Sequence, residues 1–426
     1  MIGVSVGLRE WETLRPERGS PLADRNLNGN VAGRKLAEQL TQHGRIEILE
    51  LATGLELRAT SFVGRFSLGD ITITVQPKLS GAPFLNLLRY AYGLRHLELY
   101  EPVSYAPTKW AFQDLLIQQL AAEVAELLGR GVHRDYNRTR AELANPRGRI
   151  DFDRLVGMAH SGKAMLPCVH YPRTEDTVLN QIVLSGLVYA ERLTTDIDLR
   201  ANLSRLIKTL SSTVAFKRLD ATLLTEAQRT VDRRTIAYQP ALVVIELLLN
   251  SDGISLEGET YRVRLPGFLF DMNRFFQALI SRFLHNHLEG YEVRDEYGLK
   301  DLFFYDSHRN PQARRAPVQK PDFVIGRSHQ IEAVLDAKYR DLWEKPLPRE
   351  MLYQLALYAL GQAGKEPKAV ILYPTLAFEA REQAILIREP VSGMAQGQVI
   401  LRPVNLIELE KLLRDRNWQT NRRKAI

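Results

Sequence analysis

Two aspartates and a lysine occur in the last third of the chain at a spacing that suits metal binding. The segment Lys320 to Ile325 contains Asp322, and the segment Ile331 to Tyr339 contains Asp336 and Lys338. Both segments are rich in β-branched and aromatic residues and flank a polar turn, which is typical of an antiparallel hairpin. Side chains two residues apart in a strand share a face. We therefore predict that the hairpin gathers two carboxylates and one ammonium group at one place.

Metal-dependent hydrolysis of a phosphodiester uses this combination of groups. Hard oxygen ligands bind Mg²⁺ (or Mn²⁺) while the ion keeps several waters, and the ion stabilises the charge on the scissile phosphate. We predict that Asp322, Asp336 and the carbonyl of Ala337 bind the metal ion, and that Lys338 orients or helps to deprotonate the attacking water. An aspartate followed two residues later by lysine is also common as a surface ion pair, so these residues alone do not decide the question.

The wider pattern resembles the PD-(D/E)xK nuclease superfamily. Pro321-Asp322 and Asp336-Ala337-Lys338 match its metal-binding motifs, and Gln354 and Tyr358 match the QxxxY element of its RecB-like members. Residues four apart lie on one face of a helix. The resemblance implies that this glutamine and this tyrosine steady the site or contact the DNA backbone, while hydrogen bonding at the edge of the core remains the alternative.

More narrowly, the runs DAKYR and YQLALYA resemble the McrC family, the nuclease subunits of McrBC restriction systems. Three upstream segments also resemble that family: Val63 to Leu79, Pro146 to Ile150 and Thr174 to Val183. The resemblance implies cleavage of double-stranded DNA carrying 5-methylcytosine or a similar modification, in phage defence, together with an AAA+ GTPase partner like McrB. The chain contains no G-x-x-x-x-G-K-[ST] motif, so we expect GTP to be used by the partner.

One position departs from the family pattern. The helix that opens the nuclease domain often carries an acidic residue after paired aromatics, whereas here Phe275-Phe276 is followed by Gln277. A neutral amide is a poor substitute for a carboxylate, and either Asp271 or Glu296 could compensate. This departure motivates an alternative function, a non-cleaving subunit that stimulates the GTPase of its partner. A further alternative is a standalone RecB-like repair nuclease, which would cut DNA without a partner.

Basic residues lie just before the hairpin. Arg309, Arg314, Arg315 and Lys320 are candidates for contacts with DNA phosphates, which position the backbone without reading sequence. The tail at 421–424 is also basic. The formal net charge of +7 favours a polyanionic partner, although an excess of this size on 426 residues is often only a solvated surface.

The single cysteine, Cys168, excludes an intramolecular disulfide, an iron–sulfur cluster and a Cys-rich zinc site. Arg9, Glu10 and Glu12 stand where a signal peptide would need apolar residues, and no apolar run reaches the length of a membrane span. We therefore expect a cytoplasmic protein without membrane contact.

The element pattern predicts an α+β multidomain chain with three domains. Residues 1–80 form a β-rich N-terminal module, with a helix at Asn30 to His43 and a hairpin around Leu68 to Asp70. The resemblance makes this module a docking arm for the partner, and the alternative is a small module without chemistry. Residues 81–255 form a mainly helical middle domain, in which the arginine-rich segment Asn137 to Arg149 is predicted as an ordered loop of unassigned role.

Residues 256–426 are predicted as a restriction-endonuclease-like α/β domain with a mixed central sheet. Its predicted elements are the following: a helix at Asp271 to His287, strands at Tyr291 to Asp295 and Leu302 to Asp306, the hairpin, a helix at Arg349 to Gly361, strands at Ala369 to Tyr373, Ala384 to Arg388 and Val399 to Arg402, and a helix at Leu406 to Arg414.

Overall fold

The computed structural model describes residues 4–79, 81–94, 112–158, 165–251, 267–300, 302–327, 330–362 and 367–414. The predicted basic tail and most of the predicted boundary between 250 and 266 lie outside these residues. The chain divides into two compact units. The first combines the described residues up to 94 with those from 267 onward, and the second contains 112–251.

The N-terminal segment folds into sheets and two helices. Its elements are β1 (Val4–Arg9), β2 (Thr13–Leu14), α1 (Val31–Gln42), β3 (Ile46–Leu51), β4 (Gly54–Ala59), β5 (Phe62–Leu68), β6 (Ile71–Gln76) and α2 (Gly81–Tyr92). The side chain of Asn30 caps α1 by accepting a hydrogen bond from the N–H of Gly33. The antiparallel pairing of β5 with β6 confirms the predicted hairpin. Strands β2, β4 and β3 form a separate three-stranded sheet.

The second unit is mainly helical. Its elements are α3 (Phe112–Arg130), β7 (Asp135–Tyr136), β8 (Thr139–Leu143), β9 (Arg149–Ile150), α4 (Phe152–Met158), β10 (Leu166–His170), β11 (Arg173–Thr174), α5 (Val178–Leu193), α6 (Ile197–Ser211), α7 (Ala221–Thr230) and α8 (Gln239–Asn250). The prediction of a loop at Asn137 to Arg149 is wrong for β8, which pairs with β10. Within β8, half-buried residues alternate with the exposed Arg140 and Glu142. This two-residue period is short, and the many arginines around it favoured the prediction of a loop.

The C-terminal segment forms a six-stranded mixed sheet with helices. Its elements are β12 (Gly267–Asp271), α9 (Met272–His287), β13 (Glu292–Asp295), β14 (Phe323–Arg327), β15 (Gln330–Ala337), α10 (Arg349–Leu360), β16 (Lys368–Thr375), β17 (Gln383–Arg388), β18 (Ala395–Asn405) and α11 (Leu406–Arg414). The strand order is β13-β14-β15-β16-β18-β17. Strand β16 is parallel to both of its neighbours, and the other pairs are antiparallel. The predicted mixed central sheet is therefore present.

The predicted strand at Leu302 to Asp306 is wrong. This stretch is irregular, and nearby only Leu299 and Gln319 form an isolated bridge. Phe304, which is 85% exposed, and Tyr305 remain in solvent, whereas Leu302 and Phe303 are half-buried. Strand propensity reflects packing against neighbouring strands, and this segment pairs with no strand among the described residues.

The N-terminal and C-terminal segments share a sheet. Strand β12 pairs antiparallel with β5 and completes a sheet of order β1-β6-β5-β12. These strands were predicted in separate domains, whereas in the structure they belong to one compact unit. Gly64 lies at this junction with φ +139°, and a Cβ added there would lie 2.1 Å from the carbonyl oxygen of Phe268. The close approach of the two strands therefore requires glycine.

Substitution Gly64→Ala is expected to lower the free energy of unfolding by about 3 kcal/mol, because it adds backbone strain and a steric clash at the junction. Chemical denaturation followed by circular dichroism measures this change. The matched control is Gly7→Ala in β1, where an added Cβ meets no atom within 4 Å. A Gly64 variant as stable as the Gly7 variant would contradict the packing described for this junction.

Among the residues that the structure describes, no helix is both long and apolar enough to cross a membrane.

Candidate active site

The hairpin of β14 and β15 brings the predicted carboxylates and the lysine together. Asp322 directly precedes β14, and Asp336 lies near the end of β15. The register places Phe323 opposite Leu335. Asp322, one residue before Phe323, and Asp336, one residue after Leu335, are therefore neighbours. The Nζ of Lys338 lies 3.2 Å from Oδ2 of Asp336 and 4.0 Å from Oδ2 of Asp322. Three of the predicted site residues thus meet at one point.

Hydrogen bonds fix the orientation of the Asp322 carboxylate. Its Oδ2 accepts a hydrogen bond from the backbone N–H of Ala337 at 2.7 Å, and its Oδ1 accepts one from Nε2 of Gln277 at 3.1 Å. Its backbone carbonyl accepts a hydrogen bond from the N–H of Glu296 at 2.9 Å. The carboxylate is therefore held between the hairpin and helix α9.

Burial and like charge act together on Asp322. Burial raises its pKa to about 6, and the negative charge of Asp336 adds to this rise, while the Lys338 ammonium and the Ala337 N–H oppose it. Burial alone would lower the pKa of Lys338, but the charges of Asp336 and Asp322 outweigh burial and raise that pKa. The lysine is therefore an ammonium ion at neutral pH in this arrangement.

Gln354 and Tyr358 lie on one face of α10 and bond to each other. Nε2 of Gln354 donates a hydrogen bond to Oη of Tyr358 at 2.8 Å. The tyrosine is 1% exposed, and its pKa is raised by burial and further by the charges of Asp336 and Asp322. Tyr358 is thus part of the core beside the carboxylates, whose charges act on its hydroxyl, and Gln354 is half-buried next to it.

The neutral residue Gln277 occupies a position in direct contact with the site, through its bond to Asp322. Of the two residues considered as compensating acids, Asp271 serves as the N-cap of α9, because its side chain accepts a hydrogen bond from the N–H of Asn273. Glu296 adjoins the site instead. It is exposed, its φ is +48°, and its negative charge contributes to the raised pKa of Asp322.

The donor set suits a hard divalent cation. Among the described residues no group of three or more His, Cys, Asp or Glu side chains could hold a metal ion. Asp322, Asp336, the Ala337 carbonyl and water could together hold a metal ion, and such a set fits Mg²⁺ and Mn²⁺ better than zinc. The mutual repulsion of the two carboxylates also favours a cation between them, because a divalent charge would relieve it.

The predicted phosphate-binding residues lie on an ordered surface loop between β13 and β14. Arg309, Arg314, Arg315 and Lys320 are all exposed. Asn310 and Arg314 hold the loop through two reciprocal hydrogen bonds, each 2.9 Å long. The N–H of Leu299 donates to the carbonyl of Gln319, which closes the base of the loop. The basic side chains are thus presented on the segment that leads directly into Asp322.

A cavity of about 750 Å³ lies beside the site and was not foreseen. Glu296, Tyr297 and Leu302 line it on one side, and Tyr358 and Gln362 line it on another. The sequence offered no sign of it, because its walls come from an irregular segment and from α10. Tyr339 was also missed as a site residue, although it directly follows Lys338 in the chain.

The family of the chain follows from its sequence. Residues 57–374 match the model of a family described as McrBC 5-methylcytosine restriction system component. The match covers more than half of the chain. This chain belongs to the McrBC family. A comparison with curated protein sequences found no match.

Solved structures give a matching fold for this McrBC-family chain. It resembles a chain in the refined half-complex from a tetradecameric assembly of Thermococcus gammatolerans McrB AAA+ hexamers with bound McrC. The TM-score is 0.66 at 18% sequence identity, over 99% of each chain. A second similarity is to a chain in the cryo-EM structure of the Thermococcus gammatolerans McrBC complex, with a TM-score of 0.48 and 19% identity, over 68% of this chain and 90% of the other. The first comparison shows that the fold is shared along almost the whole chain.

Metal affinity is expected to depend on pH through Asp322. A carboxylate must be deprotonated to bind a metal ion, so Mn²⁺ affinity should fall by about tenfold per pH unit below the pKa of about 6 and level off above it. Calorimetric titration with Mn²⁺ between pH 5 and 8 measures this dependence. Asp322→Asn should abolish binding, whereas Glu332→Gln, which changes an exposed carboxylate on β15, should leave affinity and its pH profile unchanged. A flat profile for the wild type would contradict the assignment of Asp322 as a ligand.

Proposed function

We propose that this chain is the metal-dependent DNA endonuclease subunit of an McrBC-like restriction system, activated by an AAA+ GTPase partner. The observation that carries the proposal is the convergence of Asp322, Asp336 and Lys338 at the end of one hairpin, in a chain of the McrBC family. A buried and a half-buried carboxylate beside an ammonium group suit phosphodiester hydrolysis. The proposed substrate is double-stranded DNA that carries a modified base.

The residues have separate roles in the proposed reaction. When bound, Mg²⁺ or Mn²⁺ supplies positive charge that stabilises the phosphate undergoing attack. Asp322 and Asp336, with the carbonyl of Ala337, hold that ion. Lys338 is positively charged, so it donates hydrogen bonds that orient the attacking water and lowers the repulsion between the carboxylates and DNA. One such site hydrolyses one strand, and a double-strand break therefore requires two copies or two successive cuts.

Surrounding residues support this centre. Gln277 and the N–H of Ala337 orient the carboxylate of Asp322. Half-buried Gln354 and buried Tyr358 form the hydrogen-bonded pair behind the site. The exposed side chains on the loop before β14 are proposed to bind DNA phosphates: Arg309, Arg314, Arg315 and Lys320.

The proposed partner is an McrB-like AAA+ GTPase, which would use the GTP and recognise the modified DNA. The chain shares its fold over its whole length with a chain of an assembly that contains McrB AAA+ hexamers and bound McrC. This similarity and the family membership support a partner of the same kind here. The sequence contains no P-loop motif of its own.

Cleavage of methylated plasmid in the presence of the cognate partner, GTP and Mg²⁺ tests the proposal. Asp336→Ala and Lys338→Ala are each expected to lower the cleavage rate by about a thousandfold, because each removes a group needed at the reacting phosphate. GTP hydrolysis by the complex should continue. The control Glu332→Gln should cut at the wild-type rate, and cutting by either hairpin variant would contradict the proposed site.

A second candidate is a non-cleaving subunit that activates the partner's GTPase. The contact of neutral Gln277 with Asp322 favours it, because the family often has an acid at this helix position. A wild-type chain that never cuts but accelerates GTP hydrolysis would support this candidate, and Gln277→Glu would then be the first change to test for restored cutting. Cutting without partner or GTP would indicate a standalone nuclease instead.

A further inference from the structure

A buried carboxylate from the N-terminal segment contacts the residue that follows Lys338. Glu10 directly follows β1 and is 2% exposed. Its Oε1 accepts a hydrogen bond from Oη of Tyr339 at 2.9 Å and another from the backbone N–H of Lys78 at 2.5 Å. Its Oε2 is buried and has no hydrogen-bond partner in the described part of the chain. Glu10 and Tyr339 are 329 residues apart in sequence but belong to the same compact unit.

Tyr339 is held from three directions. Its hydroxyl bonds to Glu10, and its ring packs edge-on against Phe276, with ring centroids 6.1 Å apart. Its backbone N–H donates a hydrogen bond to Oδ1 of Asn273 at 3.3 Å. Asn273 is in turn bonded to Ser61 of the N-terminal segment, through a hydrogen bond of 2.6 Å. The N-terminal segment therefore supports Tyr339 directly through its hydroxyl and indirectly through α9.

The contacts that hold Tyr339 also restrain the backbone of Lys338, the residue before it. Strand β15 ends at Ala337, so Lys338 lies between the last strand residue and the anchored tyrosine. Its N–H donates to the carbonyl of Leu372 at 3.0 Å, and its carbonyl accepts from the N–H of Arg340 at 2.8 Å. The backbone of the lysine is thus fixed on one side by the sheet and on the other by the tyrosine anchor. The direction of its ammonium group depends on both.

Stability alone does not explain Glu10. Burial raises its pKa to about 7, which means that the protein resists placing a charge there. A buried carboxyl group with an oxygen that lacks a hydrogen bond lowers the stability of the fold. A glutamine of the same shape would accept the hydrogen bond of Tyr339 at a smaller cost. With a pKa of about 7, Glu10 is charged in about half of the molecules at neutral pH, and the charged carboxylate is a stronger acceptor for the tyrosine hydroxyl than an amide.

We propose that Glu10 is a positioning residue for the nuclease site, which acts through Tyr339 to direct Lys338 toward Asp336 and Asp322. Glu10 does not touch the reacting atoms itself. This inference rests on the proposed nuclease function, and it gives the N-terminal segment a part in catalysis beyond a docking role. A disturbance of β1 would reach the active site through a single hydrogen bond.

The first test measures cleavage by variants of this pair in the full complex with partner, GTP, Mg²⁺ and methylated plasmid. Glu10→Gln and Tyr339→Phe are each expected to lower kcat by about tenfold with KM unchanged, because a slightly displaced lysine slows the chemical step without weakening DNA binding. The double variant should be no slower than the slower single variant, since both changes break the same contact. The matched control is Glu12→Gln, an exposed carboxylate two residues away.

The second test follows Lys338 itself and does not depend on cleavage. The rate at which an amine-reactive ester labels Lys338 is measured by mass spectrometry of the full chain, with Lys208 on α6 as the reference. A lysine that is displaced from the two aspartates loses its ion pairs and becomes more accessible to the reagent. Labelling of Lys338 should therefore speed up in both variants and stay at the wild-type rate in the Glu12 control.

The outcomes separate the inference from the proposed function. Wild-type cutting with unchanged kcat and unchanged Lys338 labelling in both variants would overturn the positioning role. Faster labelling in both variants of a chain that never cuts would support the positioning role while the nuclease function fails. Thermal unfolding of each variant checks the fold. If Glu10→Gln does not fold, Tyr339→Phe decides alone, because it keeps the ring that packs on Phe276.

Discussion

The repulsion between two neighbouring carboxylates, one buried and one half-buried, is the constraint on which the rest of this structure depends. Asp322 and Asp336 are brought together by the pairing of β14 with β15, and burial removes the water that would otherwise screen their charges. Several groups offset this repulsion: the Lys338 ammonium, the Ala337 N–H and the Gln277 amide. Each of them must itself be held in place. The surrounding elements hold them: α9 carries the Gln277 amide, and β16 fixes the backbone of Lys338.

The support extends well beyond the hairpin. Strand β12 joins the N-terminal sheet immediately before α9 begins, and the N–H of Met272 donates to the carbonyl of Ser61. Helix α9 is therefore fixed at its first residue by the N-terminal segment and reaches the candidate site five residues later at Gln277. The two ends of the chain form a single supporting structure around the site. This arrangement explains why the first compact unit contains both of them.

The sequence predicted local structure well and long-range structure poorly. The hairpin, the helix at Arg349 to Gly361 and the meeting of Asp322 with Lys338 follow from patterns within about twenty residues, where spacing fixes geometry. The pairing of β5 with β12 follows from no such local pattern. The glycine and aromatic residues at this junction are found in many strands, so they do not indicate which strand will be the partner. The strand predicted at Leu302 to Asp306 failed for the opposite reason, because its composition suits a strand but no neighbour is present to pair with it. The contact between Glu10 and Tyr339 was beyond sequence reasoning, since neither residue is unusual alone.

The origin of β12 has a consequence for how the chain is made. During synthesis the N-terminal strands leave the ribosome long before residues 267–271 exist. The edge of β5 that later pairs with β12 therefore stays unpaired throughout the synthesis of the second unit. Unpaired edges are sites at which chains associate wrongly. The N-terminal sheet can be completed only after the entire second unit has emerged. A fragment that ends before Gly267 would keep this edge exposed permanently, and a fragment that begins after it would lack the sheet against which α9 is set.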